Sequence, residues 1–333
     1  MGNKTSEYTL LKSRSTGKII TTGLKLYTGN FRKIFKSSWH TAAAYAAACA
    51  VLGPLLLIKL PVILQSLSSA AASEGFLAAM QMLAALAAVP VMIVIGGLLE
   101  TIFYSRGISL LRKHSTTGTI EAPAGWLTFD RKAAWRTLKA MLSCLVIVAV
   151  PAIAFGLAWK FYLGARLAEP SAHIVTLALT LIIICIAAAA LLPLAPISMK
   201  YLLDDGKRFW PLLGSDYPTC LVRHTGSILA VFFISLIVLA VTGCITSMPA
   251  SVITMANGQA MLGMAEGDPQ GMPSYITALT AVVFFIAGFL QAYVRMSVVF
   301  VVYYLHGSIE TDENGRRRMT EELDTTDNQN KTL

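Results

Sequence analysis

Six stretches of the chain are apolar for long enough to matter, and they fall into three pairs set apart by basic, aromatic-bearing segments. A helix crossing a hydrocarbon layer of about 30 Å needs about 20 such residues, because its backbone polar groups must be satisfied within the segment. The runs reach that length at residues 39–60, 75–104, 138–160, 172–199, 225–246 and 275–305. Residues 177–192 are apolar on every face and show no period-2 alternation, which argues against a β-barrel. The pattern predicts an all-α, polytopic membrane helix bundle of six transmembrane helices over 21–305, between a polar N-terminal segment (1–20) and a flexible cytoplasmic tail (306–333). The fifth run loses its apolar character near Cys244, leaving the stretch to Tyr275 as an expected external loop.

Each pair is introduced by an amphipathic segment. Before the first run, Leu24, Tyr27, Phe31, Ile34, Phe35 and Trp39 recur at helical spacing, with Lys25, Arg32, Lys33 and Lys36 between them. That is the pattern of a basic helix lying in a membrane interface. Before the third run, Leu127, Trp135, Leu138 and Leu142 share a face among Arg131, Lys132, Arg136 and Lys139. Before the fifth, Trp210, Leu213, Tyr217 and Leu221 repeat the spacing with fewer cations. These recurrences predict one unit, an interfacial helix followed by a hairpin of spans, used three times. Aromatic and basic residues also gather wherever spans meet the cytoplasm, without any duplication.

Charge then orients the bundle. Eight Lys and Arg precede Trp39, seven lie between the second and third runs, four between the fourth and fifth, and four in the tail; Lys59, Lys160 and Arg166 alone fall on the other side. Basic residues stay in the cytoplasm, so both termini are expected there, as an even number of spans requires. The composition, 55% hydrophobic against 14% charged, belongs to the membrane class. The net charge of +9 is therefore read as topology and as attraction to anionic headgroups of the lipid bilayer, with no nucleic acid as partner.

The returning spans each end near a charge: Glu100, Lys200 and Arg295. Ionisable residues within spans face the bundle interior or a wet cavity, and a partner of opposite sign lowers their cost. Glu100 is expected to pair with Lys200 or Arg295, with Gln291 one helical turn before Arg295 on the same face. Such a cluster is a candidate polar intramembrane site. Snorkelling of the long side chains to the interface, plus one structural ion pair, accounts for the same residues.

Other chemistry is sparse. His40, His114, His173, His224 and His306 stand singly, and Cys49, Cys144, Cys185, Cys220 and Cys244 have no paired spacing, so no metal site, disulfide or cofactor is expected. No Gly-rich phosphate loop or nucleophile elbow is found. Asp204 and Asp205, in a short Gly-bearing connector, read as a turn. The alanines of 42–50 and 187–190 offer small surfaces for close helix packing, within the chain or in a homo-oligomer. Met248, Met255, Met261, Met264 and Met272 are irregularly spaced, which fits a lid grazing the membrane better than a copper(I) site.

The segment Leu26-Tyr27-Thr28-Gly29-Asn30-Phe31-Arg32 before the first span, and Val301-Val302-Tyr303-Tyr304-Leu305 closing the last, resemble a group of bacterial six-span proteins. That group is similar to the membrane domain fused to some glycerophosphodiester phosphodiesterases. The resemblance implies a bacterial inner-membrane protein; the phosphodiesterase activity belongs to a separate catalytic domain and does not carry over. The expected function is that of a non-enzymatic accessory or scaffold protein acting with a partner at the cytoplasmic face; the alternative is a transporter or flippase-like carrier of a lipid or small molecule with its site at the cytoplasmic ends of the even-numbered spans.

Overall fold

The computed structural model describes residues 10–56, 76–121, 130–158, 191–265 and 275–331. These residues form eight helices: α1 (Thr16–Gly29), α2 (Phe31–Pro54), α3 (Phe76–Thr117), α4 (Arg131–Ala158), α5 (Leu194–Leu203), α6 (Phe209–Arg223), α7 (Thr225–Ala265) and α8 (Tyr275–Lys331).

Local chemistry sets their ends. Asn30 separates α1 from α2 at φ −114°, ψ 13°, while its side-chain amide donates to the Leu26 carbonyl at 3.0 Å. His224 separates α6 from α7 in nearly the same conformation, φ −116°, ψ 6°. Gly118 closes α3 in the left-handed region, φ 71°, with its N–H donating to His114 O at 2.9 Å. Asp130 starts α4, its carboxylate accepting from the Ala133 N–H at 3.0 Å.

α8 is the axis of the bundle. α1 and α2 run antiparallel along it, from Arg14 beside Ser308 to Gly53 beside Phe284. Small residues permit the approach: Ala42 and Ala46 are fully buried, and a Cβ on Gly288 would come within 2.9 Å of Cys49 Cβ. Ala42, Ala46 and Ala48 thus pack within the chain. α3 lies parallel to α8, with Glu100 beside Arg295 and His114 beside Tyr303. α4 packs antiparallel to α3, and α5 and α7 complete the surround.

The bundle has two zones of opposite character. At one end Ile19, Phe103, Leu111, Phe300, Tyr303 and Tyr304 are buried to 1% exposure or less. Toward the other end, apolar side chains point outward on every long helix, among them Val94, Leu145, Val150, Phe233, Ile245 and Val282. Exposed apolar surface so extensive is what hydrocarbon covers. Among the described residues four helices are long and apolar enough to cross a membrane, within α3, α4, α7 and α8. The chain is a membrane-embedded helical protein. α2, which holds the expected first span, is not among the four, and most of the expected fourth span lies outside the described residues, as do Cys185 and His173.

Three expectations change. The segment read as one interfacial helix is bent at Asn30, and α1 begins at Thr16, inside the segment expected to be merely polar. Its Ile19, Ile20, Leu26 and Tyr27 are buried against α8, while Lys25, Arg32, Lys33 and Lys36 stay exposed. The expected external loop after Cys244 is largely helix, since α7 continues to Ala265. Alanine and methionine in that stretch favour helix even where hydropathy falls. The tail expected to be flexible continues α8 to Lys331, and its first turns are packed: His306, Ser308 and Ile309 are buried. Lys200 anchors Glu310 at 2.8 Å, and Arg223 and His224 meet Glu313 at 3.2 and 2.9 Å.

Candidate functional site

Arg295 lies about twenty residues into α8, which at the helical rise is about 30 Å from its start, one hydrocarbon thickness. Helix side chains lean toward their own N-terminus. The Arg295 guanidinium accordingly reaches away from the buried end, toward Gln291 one turn earlier, with Nη2 donating to Gln291 Oε1 at 3.4 Å. Its Nη1 donates to Glu100 Oε1 at 3.1 Å and to Tyr45 Oη at 3.4 Å. Tyr104, one turn beyond Glu100, donates its hydroxyl to the same carboxylate oxygen at 3.2 Å. The arrangement is an ion pair plus neutral hydrogen-bonding groups, drawn from α2, α3 and α8.

Three of the four predicted residues, Glu100, Gln291 and Arg295, come together. Lys200 does not join them. It faces the other side of the bundle, 2.9 Å from Asp216 of α6 and 2.8 Å from Glu310 of α8, beside a small cavity of about 110 Å³. α5 carries Lys200 to the buried end of the bundle, where two carboxylates compete for it. Tyr45 and Tyr104 were not anticipated. Tyr104 was within reach of sequence reasoning, since it stands four residues after Glu100; Tyr45 is hidden in an alanine run.

The ion pair is not sealed. The Arg295 side chain is 43% exposed and that of Glu100 is 22% exposed. A cavity of about 460 Å³ opens on one side of Arg295, walled by Tyr104, Met141, Cys144, Leu239 and Val299. A second, of about 280 Å³, opens on the other, walled by Tyr45, Cys49, Ser247, Phe284 and Gln291. Both are mostly apolar, so each offers a polar anchor beside room for a hydrocarbon chain. No known protein family, curated protein or solved structure matches the chain.

A second polar constellation does a different job. Arg136, buried on α4, donates to the carbonyls of Asp204 at 2.6 Å, Asp205 at 3.0 Å and Lys207 at 3.3 Å, and closely to that of Tyr201. Arg112 of α3 donates to Leu202 O at 2.6 Å and pairs with Asp205 at 2.9 Å. Two guanidinium groups therefore satisfy the orphan carbonyls at the C-terminus of α5. The Asp204-Asp205 turn reading stands, with Asp205 as the carboxylate that Arg112, Lys132 and Arg136 share. Among the described residues no three His, Cys, Asp or Glu gather as metal ligands do.

Proposed function

We propose that this is a non-enzymatic bacterial inner-membrane protein that holds a lipid or small amphiphile at the Arg295–Glu100 pair, the carrier reading ahead of the scaffold one. One observation carries it: a half-exposed guanidinium, turned away from the near polar end, with an apolar cavity on each side. An amphiphile seated there would place its polar head on Arg295, Gln291 and Tyr45 and its tail in a cavity.

Topology in this reading is six spans with both termini cytoplasmic, supported by the basic residues concentrated at the buried end. The threefold repeat is part of the same proposal. Its support is the matched bend at Asn30 and His224, each between an amphipathic helix and the apolar helix that follows. The scaffold reading draws support from a different feature, the packed platform that α1, α6 and the extension of α8 build at that end.

Gentle extraction followed by native mass spectrometry tests the proposal. The wild-type chain is expected to retain a lipid-sized adduct that Arg295→Gln loses. Proteoliposomes carrying a fluorescent phospholipid then separate carriage from holding. A chain that retains nothing and moves no lipid would end the carrier reading and leave the scaffold one.

A further inference from the structure

A separate groove lies on the outer surface of the bundle, between α3 and α4. Its volume is about 680 Å³, and its walls order themselves by chemistry along α4. Arg131 and Lys132, in the first turn, form a cationic rim. Trp135, 57% exposed, comes one turn later, and Leu138 with Leu98 and Ile102 of α3 makes the apolar floor. From Arg131 to Leu138 the helix descends about 10 Å, the distance from headgroup level to the first acyl carbons. Arg131 is exposed and has no ion pair among the described residues, whereas Lys132 shares Asp205 at 2.9 Å. Lys139, 5.2 Å from the Trp135 ring centre, adds a third cation at the level of that ring.

We infer that this groove is a binding site for a single anionic phospholipid, its phosphate on Arg131 and Lys132, its glycerol region against Trp135, and an acyl chain over Leu98, Ile102 and Leu138. Charge complementarity selects the occupant. A zwitterionic lipid would bring its own cation to a rim already positive, and a protein segment would have to complement an order of cation, aromatic and aliphatic that the phosphate, glycerol and acyl chain of a phospholipid complement already. The site shares with the Arg295 proposal only that the bundle sits in a bilayer. Glu100 faces Arg295, on the far side of the α3–α4 contact where Thr101 Oγ1 meets Met141 Sδ at 3.1 Å.

The test uses the full chain in phosphatidylcholine nanodiscs doped with brominated phosphatidylglycerol or brominated phosphatidylcholine. The part of tryptophan quenching lost in Trp135→Phe isolates the groove. Wild-type Trp135 is expected to be quenched more by the anionic lipid. Arg131→Gln should reduce that preference about fivefold, as the loss of one interfacial cation does, and Arg131→Lys should keep most of it. Among the described residues Arg131 forms no ion pair for Gln to break, so the variant is expected to melt with the wild type. Equal quenching by the two lipids, or a preference that Arg131→Gln leaves undiminished, overturns the site. So does a Trp135 shielded from both, since a protein surface would then cover the groove.

Discussion

The Tyr27 hydroxyl donates to the backbone carbonyl of Tyr293 at 2.8 Å, tying α1 to the middle of α8. Burial holds that phenol far above its ordinary pKa, so it stays a donor at any physiological pH. The Tyr27 ring also stands edge-on to Phe300 at 5.3 Å between centroids. α1 is thus part of the core at the buried end, and only its basic face is left to a membrane surface.

Gly23 measures how closely α1 and α8 pack. A Cβ there would lie 2.8 Å from Val301 Cα and 3.0 Å from Phe300 O, both backbone atoms that cannot step aside. Gly23→Ala should therefore destabilise by about 1–3 kcal/mol, as overpacking does. Gly17, on the same helix with nothing within 4 Å, is the control; Gly17→Ala should be neutral or stabilise by about 0.5–1 kcal/mol. Thermal midpoints of the two variants in one detergent decide it, and equal shifts would mean the helices are not held this close.

Arg136 should be irreplaceable by lysine. A planar guanidinium reaches several carbonyls of the α5 terminus and Asp205 together, while an ammonium can serve fewer at once. Arg136→Lys is expected to lower the midpoint clearly, and Arg136→Met to cost about 3–5 kcal/mol, the range for stripping a partner from a buried ionic network. Should Arg136→Lys melt with the wild type, the fork geometry would carry no weight.

Hydropathy made the bundle legible because lipid-facing residues such as Val94 and Phe233 must be apolar whatever they touch. It also flagged Arg295, since a guanidinium inside a span has to be accommodated. Partner choice is not legible: the sequence offers both Lys200 and Arg295 to Glu100, and α5 places Lys200 beside Asp216 and Glu310. The end of the bundle was hidden for a similar reason. Residues 306–313 are polar in sequence, yet His306, Ser308 and Glu310 are fixed by contacts with Arg14, Lys200 and their neighbours, which no periodicity encodes.

Acid should loosen that same end. Lys132 hydrogen-bonds Asp205 and holds its carboxyl below the ordinary 3.8; the Gly206 N–H does the same for Asp204. Burial pushes Asp216 the other way, but Lys200 outweighs it and the net shift is downward. Folded values below unfolded ones mean that the unfolded chain takes up protons first as pH falls. Their contribution is therefore complete above the unfolded 3.8 and lost as pH drops through the folded values. Burial also holds His306 down to about 4, so the midpoint should begin to fall as pH drops through the unfolded 6.5, with the carboxylates adding a further decline below about 4. Asp205→Asn should start lower and decline less steeply; identical slopes would remove these pairs as the cause.

Glu100 and Arg295 give the sharpest separation of structure from function. Arg295→Gln leaves a carboxylate with Tyr104 as its remaining donor among the described residues, and should cost about 1.5–3 kcal/mol, as loss of a charge-assisted hydrogen bond does. Glu100→Gln should cost less, because an amide oxygen still accepts from Tyr104 and Arg295. Replacing both, as Glu100→Leu with Arg295→Met, removes the two charges together and should restore most of the midpoint, since an apolar pair of similar volume substitutes well for an ionic one. If the pair holds an amphiphile, the double variant will melt like the wild type and still have lost its bound lipid, because no guanidinium is left to meet the polar head. Midpoints and retained adducts measured across the four members of this cycle read the two roles independently. Recovery of both quantities in the double variant would make the pair purely structural and would remove the ground for a carrier.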